Sequence, residues 1–338
     1  MSSAINRPPF LSIDGKIKYL DERHYFPLDT ITEDDRTRLG AINFHFFIGY
    51  ARNFRYLHDN DAIHVPKTAS EVFKIMDRDA EMSAYVLSGV RDVEFRLRHS
   101  FVDALSSCAC PYDDYLNPDN YQSFDRNYTP ERLVDGLLRD ILNYREAYVV
   151  NHIKSRCDDQ GLTNPPETVD PSNRESVLAL VDGLPLWSVV DSFTLGHLNR
   201  AIMTFRPPKS ADLPWKEVAR SLSFKENRFD VASKSVLFLR NLTAHHNRLW
   251  MRPTSNTPTR SGLFRKEMND AHPRSMVVAL YNLASMHGTS DARLFASGFQ
   301  KILNSNPAYA TGIMKISPDE EDDKDGDKKK RKGKNPRR

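Results

Sequence analysis

The stretch RNLTAHHNRLW, residues 240–250, gathers two arginines, two asparagines, two adjacent histidines and a tryptophan into one short segment. An imidazole changes charge near neutral pH, so it can take or give a proton. A guanidinium presents its donors as a planar fork that holds a phosphate by two bonds. Together these groups suit cleavage of RNA by its own 2′-hydroxyl. The histidine moves a proton, the arginine steadies the charged phosphorane, and no metal is required. Nothing in the stretch offers the carboxylate cluster of a two-metal nuclease. Spacing alone does not single it out. An arginine with a histidine five to seven residues later occurs at six places: 38/45, 52/58, 145/152, 240/245, 240/246 and 265/272. Requiring asparagine directly after the arginine leaves two stretches, this one and RNFRYLH at 52–58.

On a continuous helix the two histidines separate. Leu239, Leu242, His246 and Leu249 fall within one stripe about 80° wide, and Asn241, His245 and Arg248 on a neighbouring stripe about 60° wide. The first stripe predicts a packed His246, and the second makes His245 the residue for chemistry. Arg240 lies roughly 140° from His245, so its long side chain or a local unwinding must close that angle. Capping of neighbouring helices by Asn241, His245 and Arg248 is the purely structural alternative.

The elements that must hold this stretch are helical. Glycine is scarce, at 14 of 338 residues, and no long β-branched alternation occurs. Ser12 is a helix N-cap ahead of Ile13, Ile17 and Leu20. EDDRTRLGAINFHFFIGYARNFRYLHD predicts a helix interrupted near Gly49. Val86, Val90, Val93, Leu97, Phe101 and Leu105 recur in three- and four-residue steps along one long amphipathic helix. On it Glu94 and Arg98 form an acid-first pair four residues apart. Thr129 and Pro130 open a helix whose buried face carries Leu133, Leu137, Ile141 and Tyr144. A proline-rich linker covers 161–176. LPLWSVVDSFTLGHLNRAI predicts one helix, with Trp187, Val190, Thr194 and Leu198 aligned. The helix carrying the motif should run from about 226 to 250, and a last pair should cover 272–304. There is no internal repeat and no glycine-rich phosphate loop.

Composition narrows the class. Hydrophobic residues make up 39% and charged residues 28%, as in a soluble globular protein. No run approaches the roughly 18 apolar residues that span a bilayer, and the first residues do not resemble a secretory signal. Cys108, Cys110 and Cys157 are odd in number and lack zinc or disulfide spacing, which predicts free thiols in a reducing cytoplasm. The net charge of +3 does not by itself indicate nucleic acid. Residues 319–327 hold seven acidic side chains and 328–338 hold eight basic ones. This segment, 318–338, is expected to be disordered and either solubilising or in contact with RNA.

The stretch at 240–250 resembles the signature of Abi-like (abortive infection, AbiD/AbiF type) bacterial proteins, Arg-Asn-x-x-Ala-His-His-x-Arg-Leu-Trp, with every fixed position filled. RPPFLSIDGKIKYL, VRDVEFRLR and LPLWSVVDSFTLGHL resemble further family segments, with Asp191 where glutamate is usual. INFHFFIGYARNF departs from the family pattern: Ile42, Asn43, Gly49 and Tyr50 match, but Phe46 replaces an arginine, for which Arg52 or Arg55 is expected to substitute. The resemblance runs from about residue 7 to 305.

It implies an all-α, multi-helix bundle of HEPN type, with an N-terminal helical extension, over 1–317 (HEPN-like core about 70–305). It also implies a metal-independent endoribonuclease of phage defence, without cofactor. The site carried over is Arg240, Asn241 and His245, with His246, Arg248, Arg252, Glu94, Arg98 and Asp191 in supporting or RNA-binding roles. The implied partners are RNA, including a structured small non-coding RNA, and a second copy of the chain, in the cytoplasm and without a membrane. A non-catalytic protein that grips a cognate RNA is the alternative. RNFRYLH at 52–58 has no counterpart in the resembled signature and is expected to be structural.

Overall fold

A computed structural model describes residues 10–123, 128–207, 213–260 and 262–318. The tail from 319 onward and the prolines at 8 and 9 lie outside the described residues. The chain is all-α: among the described residues there is no strand, only an isolated bridge between Tyr121 and Phe205. In chain order the helices are α1 (Ile13–Glu22), α2 (Glu33–Ala41), α3 (Phe44–Asp59), α4 (Ala69–Ser106), α5 (Pro130–Leu142), α6 (Ala147–Asp159) and α7 (Arg174–Val181). They continue as α8 (Leu186–Val189), α9 (Leu195–Thr204), α10 (Pro214–Ser221), α11 (Glu226–Ala244), α12 (Met276–Met286), α13 (Ala292–Asn304) and α14 (Pro307–Ile313).

The axis of the molecule is α4, 38 residues long. Thr68 caps it, its side chain accepting from the Glu71 N–H at 3.3 Å. No proline interrupts it. Its single glycine, Gly89, stands where Phe295 crosses: a Cβ there would lie 2.2 Å from that ring. The stripe Val86, Val90, Val93, Leu97, Phe101 and Leu105 is buried throughout, as its spacing predicts. Each such side chain contributes roughly 1.5–3 kcal/mol relative to exposure. Around α4 pack α3, α9, α10, α11, α12, α13 and α14. Helices α5, α6 and α7 form a flank reached through α9, and α1 and α2 cover the N-terminal side.

Several boundaries differ from expectation. The second predicted helix breaks at Ile42–Asn43, not at Gly49, because the Asn43 side chain accepts from the His45 N–H and starts α3 afresh. The helix opened by Thr129 ends at Leu142, and α6 starts separately at Ala147. The segment LPLWSVVDSFTLGHL is two helices. Thr194 caps α9 instead of sitting on a buried stripe, and Trp187 is exposed. The expected C-terminal pair is present as α12 and α13, and α14 follows it.

Among the described residues no helix is long and apolar enough to cross a membrane. No group of three His, Cys, Asp or Glu side chains there could hold a metal ion.

Candidate active site

Helix α11 buries Phe229, Ala232, Val236, Leu239 and Leu242 against α4 and its neighbours. It runs antiparallel to α4. Just before it, the Ser221 hydroxyl donates to Ser100 Oγ at 2.6 Å; just after it, the Leu249 N–H reaches Asp79 at 2.9 Å.

The predicted helix to residue 250 stops at Ala244. The His246 N–H returns to the Thr243 carbonyl at 3.2 Å, and the Asn247 N–H to the Leu242 carbonyl at 2.9 Å. That pair of bonds is a Schellman turn, whose left-handed position usually holds glycine. Here His246 occupies it, at φ +52°. Histidine is among the residues that adopt this region more readily than most, though still at a cost. Projecting an unbroken helix through 250 therefore misplaces everything after 244. His246 is exposed, not packed, which corrects the expectation from the stripe.

Four residues thus present polar groups at the end of α11. Asn241 and His245 are exposed and one turn apart, with the His245 N–H on the Asn241 carbonyl at 3.2 Å. Arg240 donates to Asn241 Oδ1 at 3.3 Å, which carries its guanidinium round towards the Asn241 stripe.

The second half of the stretch is structural. Arg248 donates to the Gly49 carbonyl in α3 and lies 5.8 Å from the Tyr50 ring centre. Trp250 is fully buried, stacks on Tyr50 at 6.2 Å, and donates to the Tyr309 carbonyl at 3.1 Å. Asp79 gathers these pieces. It is 2% exposed and accepts from the Tyr50 hydroxyl at 2.5 Å, the Tyr309 hydroxyl at 2.8 Å and the Leu249 N–H. Burial pushes its carboxyl above the ordinary aspartate value, against the pull of these donors. The same surroundings push both tyrosines well above theirs.

Sequence reasoning missed Asp79 and Tyr309. A signal for Asp79 existed: it interrupts the apolar series Val72, Ile75, Met82, Val86 on α4, and a carboxylate so placed is rarely buried without partners.

The other expected residues lie elsewhere. Arg98 bonds Glu94 at 2.7 Å and the carbonyls of Val190 and Phe193 at 3.3 and 3.1 Å, with Asp191 at 3.6 Å. These three residues staple α4 to the turn before α9. That staple is 19 residues along α4 from Asp79, about 28 Å. Arg252 is half-buried just beyond the turn, its N–H on the Leu249 carbonyl at 3.2 Å.

RNFRYLH at 52–58 packs into the bundle through Asn53, Phe54 and Leu57. Asn53 is buried, and Arg55 donates to the Arg23 carbonyl at 2.7 Å over the Tyr25 ring. Arg52 and Arg55 line a different hollow from Phe46, so neither stands in for the arginine that Phe46 replaces. Phe46 and Arg38 line one cavity of about 450 Å³, bounded by α2, α3, α4 and the His246–Asn247 turn.

The fold and the turn at 240–250 define the class of the protein. The family model described as "Abi-like protein" matches residues 37–251, and the chain belongs to that family. Membership supports a role in abortive infection, a form of phage defence. No curated protein and no solved structure matches the chain.

Proposed function

We propose that the chain is a metal-independent endoribonuclease of HEPN type, acting on RNA during abortive infection. One observation carries the reading. Helix α11 stops where it does, so that Asn241, His245 and His246 stand exposed with Arg240 bonded to Asn241, while Leu249 and Trp250 after them are fixed in the core. The same left-handed turn closes α1 at His24, α3 at Asp61 and α10 at Ser223; the one after α11 sets two adjacent exposed histidines beside Asn241.

In this reading Arg240 holds the scissile phosphate and is aligned by Asn241. His245 removes the proton from the 2′-hydroxyl; O2′ bonds to phosphorus and the P–O5′ bond breaks. A protonated imidazole returns a proton to O5′, leaving a 2′,3′-cyclic phosphate and a 5′-hydroxyl. Two copies meeting through this face would bring both Arg240–His245 sets into one cleft. A small structured RNA on the same face would keep the enzyme silent until infection.

The test is cleavage of a mixed RNA pool by purified protein stripped of co-purified RNA. His245→Ala should lower the yield of cyclic phosphate ends by at least 100-fold with little change in RNA affinity, whereas Arg240→Ala should lower both. If the wild-type protein yields no such ends but still binds RNA, the chain is an RNA-binding protein and the nuclease reading is wrong. Sequencing the RNA that co-purifies identifies the RNA partner.

A further inference from the structure

We propose that the cavity beside His246 seats one unpaired nucleobase of the RNA, the base next to the cleaved phosphate, and thereby sets where the chain cuts. The proposal rests on the nuclease reading for the cut, but not for the binding.

Three features point to a base. The first is a pair of exposed apolar side chains facing a concave space: Phe46, 40% exposed, and Leu87, 41% exposed. Phe46 is held edge-on against Tyr50 at 5.4 Å, and Tyr50 is in turn fixed by Asp79. The ring is a preset platform that does not need to be ordered on binding. Bases stack on such platforms through their flat faces.

The second feature is a polar edge at the same cavity. Arg38 donates to both oxygens of Asp77, at 3.1 and 2.6 Å, and lies 4.3 Å from the Phe73 ring centre. Neither member of the pair is buried: their side chains are 35% and 48% exposed. The carboxylate keeps lone pairs, and the guanidinium keeps donors, for a ligand. An acceptor beside a donor suits guanine, whose edge carries imino and amino hydrogens next to a carbonyl oxygen.

The third feature is position and size. His246 and Asn247 form one rim, so a base in the cavity has its ribose and phosphate beside His246, the residue after His245. A volume of about 450 Å³ is that of a small-ligand site, and too small for a helix of a partner protein. Single-stranded RNA can turn a base into it without the cost of unpairing.

The experiment uses full-length protein and labelled eight-residue oligouridylates with one central G, A or C. Binding is read by fluorescence anisotropy on the His245→Ala protein, and cut positions by end-sequencing of a mixed single-stranded pool with the wild type. The G-containing oligonucleotide should bind tightest. Phe46→Ala should weaken it roughly tenfold. Asp77→Asn should level the three bases while changing affinity for plain oligouridylate less than about threefold. Both variants should lose the base preference at the cut.

Unchanged preference in both variants, with cleavage intact, overturns the cavity and leaves the nuclease. Base-selective binding without cleavage in the wild type overturns the nuclease and leaves the cavity. A shift from dimer to monomer on Phe46→Ala, with base preference intact, makes the cavity an interface between copies and overturns the proposal. Should Phe46→Ala not fold, Leu87→Ala replaces it in every arm.

Discussion

At the scale of single residues, the site is a pair of histidines on a turn held by a buried carboxylate. Asp79 has a raised folded-state pKa because burial outweighs its donors. A folded chain that binds this proton more tightly than the unfolded chain gains stability from it below the unfolded value, about 3.9. The gain is lost as pH rises through the higher folded value. The stability advantage of wild type over Asp79→Asn should therefore shrink as pH rises above about 4. Chemical denaturation at a series of rising pH values checks it, and a constant gap would mean that Asp79 does not titrate there. His246 gives a second prediction. It occupies a left-handed position, so His246→Gly should be neutral or stabilising by up to about 1 kcal/mol, and His246→Val destabilising. Thermal melts of the two variants decide. A clear loss on His246→Gly would show that the imidazole itself holds the turn.

At the scale of elements, the Arg98 staple and the α14 contact are the parts to test. Arg98→Ala frees two carbonyls and Glu94 at once, and should cost about 1–3 kcal/mol. Lying about 28 Å along α4 from Asp79, it should leave cleavage per folded molecule unchanged. Gly312 lies against Trp250: a Cβ there would stand 2.0 Å from the indole nitrogen. Gly312→Ala should thus destabilise by about 1–3 kcal/mol through overpacking, and should move the unfolding transition read by tryptophan fluorescence to lower denaturant. These elements also show what the sequence makes visible. Ser12 and Thr129 cap where they should, and the stripe from Val86 to Leu105 is buried, because caps and periodicity are local physics. The end of α11 was not visible, since RNLTAHHNRLW contains no glycine or proline to mark it. The turn is fixed by Asp79, 170 residues away, and by Gly49 in α3. Of the candidate site, Arg240, Asn241 and His245 are named by the family resemblance, since residue types and spacing leave several Arg…His pairs open, while the placement of His246 depended on that distant partner.

At the scale of the whole molecule, the proposed cleft between two copies predicts that activity per chain rises with protein concentration and saturates with the dimer population. Light scattering and initial rates over the same dilution series test it; a flat specific activity across a dimer-to-monomer transition would show that one chain suffices. The turn that carries the histidines also joins parts of the chain made at very different times. Asp79 and Tyr50 come early, the histidines follow, and Tyr309, which bonds both Asp79 and Trp250, comes 59 residues after Trp250. At about 5–20 residues per second, a ribosome needs roughly 3–12 s to cover that interval. For those seconds the histidine turn has been synthesised but lacks its last anchor. A chain still being translated therefore holds that turn by Asp79 and Gly49 alone, and under the proposed function that interval is one in which a restraining partner can bind first.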